Sequence, residues 1–177
     1  VLDSLGLHIE DNLILDKICK QLVARQQTGM FSIQRQIDYP FIPSIKTFQK
    51  EDEDVITGLE GIQVVQVAFP SQIKYLGESE TEFISLLQTS NSSATMKDFF
   101  NLGALPEINP ILNQLNEPSK IIGGKLITKN GNSLTLITDS NFFDDQSIAN
   151  MQIVRSDINE NYTFIENIID VVLGDGE

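Results

Sequence analysis

Two apolar stretches joined by Asn130-Gly131 constrain the fold of this chain more than any other feature. Residues 121–128 and 133–138 are rich in the β-branched and aliphatic side chains that strands favour. Asn-Gly is a strong hairpin signal, because both residues tolerate the positive φ angles of a two-residue turn. We therefore predict an antiparallel β-hairpin, with positive φ at both turn residues.

Further short apolar runs indicate a protein rich in strands. They lie at residues 13–16, 22–24, 30–37, 64–69 and 83–88. We expect the third run to end before Pro40 and Pro43, since proline lacks the N–H that a central strand donates. A short helix is predicted at residues 96–102, and another at 55–59 after an exposed acidic loop at 50–54. Pro106, Pro110 and Pro118 bracket a segment that we predict to be irregular.

The end of the chain has the periodicity of a helix. The apolar residues within 163–173 recur at spacings of three and four, which places them on one face. Thr163 and Glu166 have the spacing of a capping box, and Gly174 suits the left-handed residue that follows a helix. A chain of 177 residues with many strands and a terminal helix predicts a single mixed α/β domain over residues 1–177.

The charge balance excludes several classes of partner. The chain has 25 acidic and 12 basic residues, for a formal charge of −13. Nucleic-acid affinity comes mainly from Lys and Arg that neutralise phosphates, so we predict no nucleic-acid partner. Anionic lipid surfaces also require basic clusters. We expect the acidic surface to keep the chain soluble.

The chain has one cysteine, Cys19, and one histidine, His8, which leaves little room for nucleophilic or zinc chemistry. A thiolate nucleophile needs a neighbouring cation or helix terminus, and a structural zinc site needs three or four Cys and His ligands. We interpret Cys19 as a buried structural thiol and His8 as a surface residue. Gly123-Gly124 lies inside a predicted strand, where a bulge or a close backbone approach explains it. We therefore predict no catalytic residue, no metal and no cofactor.

One polar loop is a candidate site. Asp139, Ser140 and Asn141 follow the second hairpin strand, and ligands of α/β proteins bind beyond the carboxyl ends of strands. With Asp144 and Asp145 nearby, the loop has the oxygen atoms that a divalent cation prefers. However, two phenylalanines occupy the ligand spacing, so we favour Asp139 or Ser140 capping the following turn. We expect water to keep the pKa values of these carboxylates near normal.

Several segments, taken in order, resemble one protein family. Residues 5–16 and 54–59 belong to the resemblance, as does the terminal segment 164–175. Residues 86–90 read Leu-Leu-Gln-Thr-Ser, like the family's L-L-x-T-S strand end. Residues 138–142 resemble its G-D-S-D-F strand end, with Thr138 in place of Gly and Asn141 in place of Asp. In these segments the chain is similar to the auxiliary, substrate-binding-like component of uncharacterised ABC transport systems of the gliding-motility type.

The resemblance implies a layered α/β sheet similar to the class I glutamine-amidotransferase-like fold, without that enzyme's nucleophile. It also implies that the chain is a fragment lacking the first strands of that sheet, cut from a protein that helices tether to the bacterial inner membrane. The domain would lie on the extracytoplasmic (periplasmic) face, beside an ABC permease. The partners of the full-length protein would be the permease and ATPase subunits. Because missing strands would leave an open sheet edge, we also predict a homodimer.

Two functions are compatible with these features. The first is a non-catalytic interaction or ligand-presenting domain of an ABC transporter complex, with Thr89, Ser90, Asp139, Ser140 and Asn141 as candidate ligand-binding residues. The second is a small hydrolase or sugar-handling enzyme that uses the loop carboxylates near Asp139, because paired carboxylates can do acid–base work. We favour the first.

Overall fold

A computed structural model describes residues 2–28, 31–46, 59, 61–77, 81–142 and 160–174 of the protein, with the backbone alone for residues 25–28 and 31–32. The strands in these ranges are β1 (Leu7–Ile9), β2 (Leu13–Asp16), β3 (Cys19–Thr28), β4 (Phe31–Lys46), β5 (Val64–Gln66), β6 (Ile73–Tyr75), β7 (Thr81–Gln88), β8 (Ser93–Met96), β9 (Ile121–Thr128) and β10 (Ser133–Ile137). Short 3₁₀ turns cover Asp3–Leu5 and Pro110–Asn113, and the α-helix α1 covers Asn161–Leu173.

The strands form several small sheets, and every strand pair in the described ranges is antiparallel. β1 pairs with β6 and β2 with β8, while β3-β4-β5 and β10-β9-β7 are three-stranded sheets. The protein is thus a mixed α/β molecule of small antiparallel sheets with a C-terminal helix, as the sequence predicted at that level. Layering like that of the glutamine amidotransferases stays a prediction.

The predicted hairpin is present, but its turn differs from the expected one. β9 and β10 pair from Ile127 with Ser133 to Gly123 with Ile137. Gly131 has a φ of 80°, and its N–H donates to the Thr128 carbonyl at 2.9 Å. The prediction of positive φ at Asn130 is wrong, since this loop follows an ordinary turn with one left-handed residue.

The prediction that a strand ends before Pro40 is wrong. β4 continues to Lys46, because the chain bulges between the pairs Lys20 with Tyr39 and Cys19 with Pro43. Residues 40–42 oppose no residue of β3, so the missing N–H of Pro40 breaks no ladder hydrogen bond. Beyond the bulge β4 pairs with β5.

The helix predicted at residues 96–102 is also wrong. Met96 instead ends β8, whose residues pair with the fully buried strand β2. Asp98 then takes a φ of 65°, which a right-handed helix does not allow. The stretch around the three prolines is irregular apart from the 3₁₀ turn, as predicted. The predicted acidic loop 50–54 and nearly all of the predicted helix 55–59 lie outside the described residues.

The apolar contact between helix α1 and the sheets centres on one buried aromatic side chain. Phe164 is fully buried and meets Phe142 edge-on, with ring centroids 6.2 Å apart. Ile165 and Ile168 pack against the same core, whereas Val172 is 63% exposed. The predicted apolar face therefore contacts the core only over the first half of the helix.

The ends of α1 show why one capping prediction holds and the other does not. Gly174 is left-handed and donates its N–H to the Asp170 carbonyl at 3.1 Å, as predicted. The predicted capping box is wrong, because the helix begins at Asn161 and Thr163 lies within its first turn. The Asn161 amide instead donates to and accepts from the backbone of Gln66, at 2.8 and 2.9 Å. A tertiary contact with β5 thus fixes where the helix begins.

Candidate functional site

Both groups of predicted ligand-binding residues lie at one end of the β10-β9-β7 sheet. β7 and β10 flank β9 and are antiparallel to it, so they run parallel to each other. Gln88 pairs with Ile121 and Ile137 with Gly123, so both outer strands end beside the start of β9. The loops that follow them therefore leave the sheet at the same end, about two strand spacings or 10 Å apart.

Asp139 organises the first of these loops. One carboxylate oxygen accepts the Ala68 N–H at 2.7 Å, and the other accepts the Asn141 N–H at 2.8 Å. The second bond is an Asx turn, which confirms that Asp139 caps the turn after the strand. Burial raises the pKa of Asp139 above its ordinary value, against the lowering effect of these two bonds. The expected normal pKa was therefore wrong for this residue, because the loop is partly buried.

The remaining loop residues divide into one anchor and two exposed side chains. Phe142 enters the core against Phe164. Ser140 and Asn141 remain exposed to solvent between that anchor and Asp139. The loop thus presents a hydroxyl and an amide on a backbone that is fixed at both sides.

The second loop, which follows β7, is also held by hydrogen bonds. Thr89 is buried, its hydroxyl accepts the Lys120 N–H at 2.8 Å, and its own N–H donates to the Lys120 carbonyl at 3.0 Å. The Ser90 hydroxyl donates to Asp16 at 2.6 Å and also accepts the Ser92 N–H at 3.0 Å. Thr89 and Ser90 therefore hold the loop in shape, and Thr89 is not accessible to a ligand.

Asp16 is the polar residue at this end of the sheet that sequence reasoning did not select. Its buried carboxylate accepts the Ser90 hydroxyl and N–H and also the Ile18 N–H, the last at 2.9 Å. The sequence does contain a signal for this residue, because Asp16 is a carboxylate at the end of an otherwise apolar strand. Such a group must find hydrogen-bond donors when it is buried.

Another carboxylate, Glu117, holds the neighbouring segment 117–120 in place. It accepts the Thr95 hydroxyl at 2.7 Å and the Lys120 ammonium group at 3.2 Å. Burial opposes its ionisation, but the bonds from Thr95 and Lys120 prevail and hold the pKa of Glu117 below its ordinary value. The segment 117–120 is thereby tied to β8 on one side and to Thr89 on the other.

A separate groove of about 620 Å³ lies beside the β3-β4 ribbon. Its lining residues are Lys17, Gln21, Arg35, Gln36, Ile37, Asp38, Pro40, Ala104, Leu105, Pro106, Leu112, Asn113 and Leu115. None of the five predicted ligand-binding residues lines it. Because its two walls, formed by residues 17–40 and 104–115, are far apart in the chain, no local sequence pattern marks the groove.

The comparison with known families assigns the chain to a transport system. A family model described as an ABC-type uncharacterized transport system matches residues 1–168. The chain belongs to this family. No curated protein and no solved structure matches it significantly. The family consists of auxiliary components of such systems, as the sequence resemblance indicated.

Cys19 and His8, each the one residue of its kind in the sequence, lie in different surroundings. Burial raises the pKa of the Cys19 thiol to about 12, which suppresses the thiolate that a nucleophile requires. His8 lies at the surface, where its ring Nδ1 is 3.1 Å from an Asp3 carboxylate oxygen. In the described ranges, no three His, Cys, Asp or Glu side chains are placed to hold a metal ion. Asp144 and Asp145 lie outside these ranges.

The family context also makes membrane anchoring relevant. Within the residues that the structure describes, there is no helix with the length and hydropathy needed to cross a bilayer.

Proposed function

We propose that this chain is a non-catalytic, extracytoplasmic interaction or ligand-presenting domain of an ABC transporter complex. Its partners, through the full-length protein, would be the permease and ATPase subunits. The domain itself would contact the permease, at the end of the sheet where Ser140 and Asn141 are exposed. Membership of an auxiliary transport family supports the transport context. The periplasmic location and the gliding-motility type of system are part of the proposal.

One observation favours a ligand-presenting role over a catalytic role. At this end of the sheet, the half-buried Asp139 and the buried Thr89 and Asp16 already hold hydrogen bonds within the protein. A general base must instead direct a carboxylate oxygen at a substrate proton, whereas the Asp139 oxygens are directed at backbone N–H groups of the protein. Ser140 and Asn141 are exposed and lie on a rigid backbone, which suits recognition by a partner or a small ligand.

The raised pKa of Asp139 is the feature that favours the enzyme alternative, because catalytic acids are often desolvated carboxylates. In that case Asp139→Asn would abolish hydrolysis of a sugar or ester substrate. We favour the presenting role, since both Asp139 oxygens hold backbone N–H groups at 2.7 and 2.8 Å.

Site-specific photo-crosslinking tests the proposed contact surface. A benzoylphenylalanine placed at Asn141 in the full-length protein should form a crosslink to the permease subunit when the complex is expressed in membranes. The matched control is the same substitution at Asn132, which is also exposed but lies at the other end of the β9-β10 hairpin. No crosslink at Asn141, or equal crosslinking at both positions, would contradict the proposed surface.

A further inference from the structure

The groove of about 620 Å³ runs along an open strand edge. Four consecutive residues of β4, from Arg35 to Asp38, line it. Since consecutive side chains of a strand point to opposite faces, a groove bordered by all four reaches the edge of the strand as well as one face, where Gln21 of β3 also lines it. One edge of this part of β4 pairs with β3, and no residue in the described ranges pairs with its other edge. The groove therefore faces backbone N–H and C=O groups that no strand of the described part of the chain pairs with.

The opposite wall belongs to the segment 99–115, of which residues 104–106, 112, 113 and 115 line the groove. Hydrogen bonds within this wall segment fix its shape. The buried Asn109 amide donates to the carbonyls of Asn101 and Gly103 at 2.7 and 3.2 Å, and the Asn101 amide donates to the Ile108 carbonyl at 2.6 Å. Leu112 and Leu115 line the groove and also pack on the apolar cluster around Phe41. The groove is thus largely preformed, which lowers the entropic cost of binding.

The wall segment also presents apolar side chains to solvent. Its exposed members are Phe99, Phe100, Leu102, Leu105 and Ile108. Exposed apolar residues that cluster on a rigid loop are typical of protein interaction sites. Of these residues, Leu105 lines the groove, where Leu112 and Leu115 add further apolar surface, and the others lie beside it in the chain.

The charge of the groove is opposite to that of the whole protein. Lys17 and Arg35 line it, and neither forms an ion pair within the described part of the chain. Asp38 is its acidic member and accepts the Gln21 amide at 2.8 Å. Two cations against one anion, in a chain with a formal charge of −13, favour an acidic ligand.

We propose that this groove binds an extended peptide segment of a partner protein, which adds a strand to the edge of β4 opposite β3. The segment would carry an acidic side chain for Arg35 and Lys17 and apolar side chains for Leu105 and Leu112. Addition of a strand gives affinity through backbone hydrogen bonds and specificity through alternate side chains. This inference depends on the groove alone and does not require the proposed role in transport.

Selection from a random library of twelve-residue peptides, followed by fluorescence anisotropy, tests the proposal. Selection against the purified protein should enrich peptides that contain Asp or Glu among apolar residues. Reversal of charge by Arg35→Glu or Lys17→Glu should weaken binding of the best peptide by about five- to tenfold. Lys129→Glu is the matched control, because it makes the same charge change in the β9-β10 turn, outside the groove, and should leave binding unchanged.

Backbone methylation tests the strand addition itself. A strand donates alternate N–H groups to its neighbour, so the best peptide is remade with N-methyl groups in each of the two alternating patterns. One pattern should weaken binding at least about tenfold more than the other. The proposal is overturned if no peptide is enriched, if the enriched peptides are basic or if the groove variants bind normally. Equal effects of the two methylation patterns would also overturn it. A concentration-dependent dimer that Arg35→Glu disrupts would show that the occupant is a second copy of this chain.

Discussion

Asp16 and Asp139 each use both carboxylate oxygens as acceptors, and each joins its own strand or loop to a distant part of the chain. Asp16 joins β2 to the loop after β7, and Asp139 joins the loop after β10 to Ala68 beyond β5. The sequence identified Asp139, because it follows a clear hairpin strand. It did not identify Asp16, because Ser90, which supplies two of its donors, is 74 residues away in the sequence. Local patterns show that a buried carboxylate needs partners, but not which partners it finds.

Loss of the Asp16 carboxylate should destabilise the protein strongly. Asp16→Ala leaves the partly buried N–H groups of Ile18 and Ser90 and the Ser90 hydroxyl without their acceptor, and we expect the free energy of unfolding to fall by about 2–4 kcal/mol. Asp11→Ala is the matched control, since Asp11 is exposed in the loop before β2, and it should change stability by less than about 0.5 kcal/mol. Urea unfolding measures both. A loss for Asp16→Ala as small as that of the control would contradict a structural role.

The raised pKa of Asp139 predicts how its contribution to stability depends on pH. The folded state binds the Asp139 proton more tightly than the unfolded state, so unfolding releases it. The contribution is therefore fully present below the ordinary Asp pKa of 3.8 and is lost as pH rises through the raised folded value.

Unfolding of the wild type and Asp139→Asn across the acidic pH range measures this contribution. The free energy of unfolding of the wild type minus that of the variant should decrease as pH rises from 3.8, and then become constant. An increase of this difference with pH would mean that the hydrogen bonds to Asp139 prevail over burial.

At the scale of elements, the sequence predicted those that local chemistry determines. β2, β7, the β9-β10 hairpin and α1 have continuous apolar runs or a clear period, together with recognisable turn residues. The path of β4 through Pro40 and Pro43 was missed, because a bulge and two different neighbouring strands accommodate the prolines. Met96 was assigned to a helix, because its pairing with Leu13 depends on a strand far away in the sequence.

The two halves of α1 should respond differently to truncation of their apolar side chains. Phe164→Ala removes a fully buried ring and should lower the free energy of unfolding by about 3–5 kcal/mol. Val172→Ala, on the same helix, should change it by less than about 0.5 kcal/mol, because Val172 is mostly exposed. Thermal and urea unfolding check both values. Similar losses for the two variants would show that the whole apolar face of the helix is covered.

Across the whole molecule, the sequence predicted a candidate site but not the way its parts fit together. Both predicted loops lie at one end of the β10-β9-β7 sheet, since β7 and β10 run in the same direction on either side of β9. Thr89 proved to be buried, which leaves Ser140 and Asn141 as the exposed members of the first loop. The groove beside β4 could not be predicted, because residues 17–40 and 104–115 approach each other only in the folded protein.

The most direct test of a non-catalytic transport role is the composition of the assembled complex. The full-length protein is co-expressed with permease and ATPase subunits encoded in the same genome, extracted from membranes in mild detergent and analysed by native mass spectrometry. We predict a stoichiometric complex that contains both subunits and that forms equally well with Asp139→Asn, a variant that would disable an enzyme using this carboxylate. A full-length protein that is recovered alone, and whose Asp139→Asn variant loses a measurable hydrolytic activity, would contradict the proposed function.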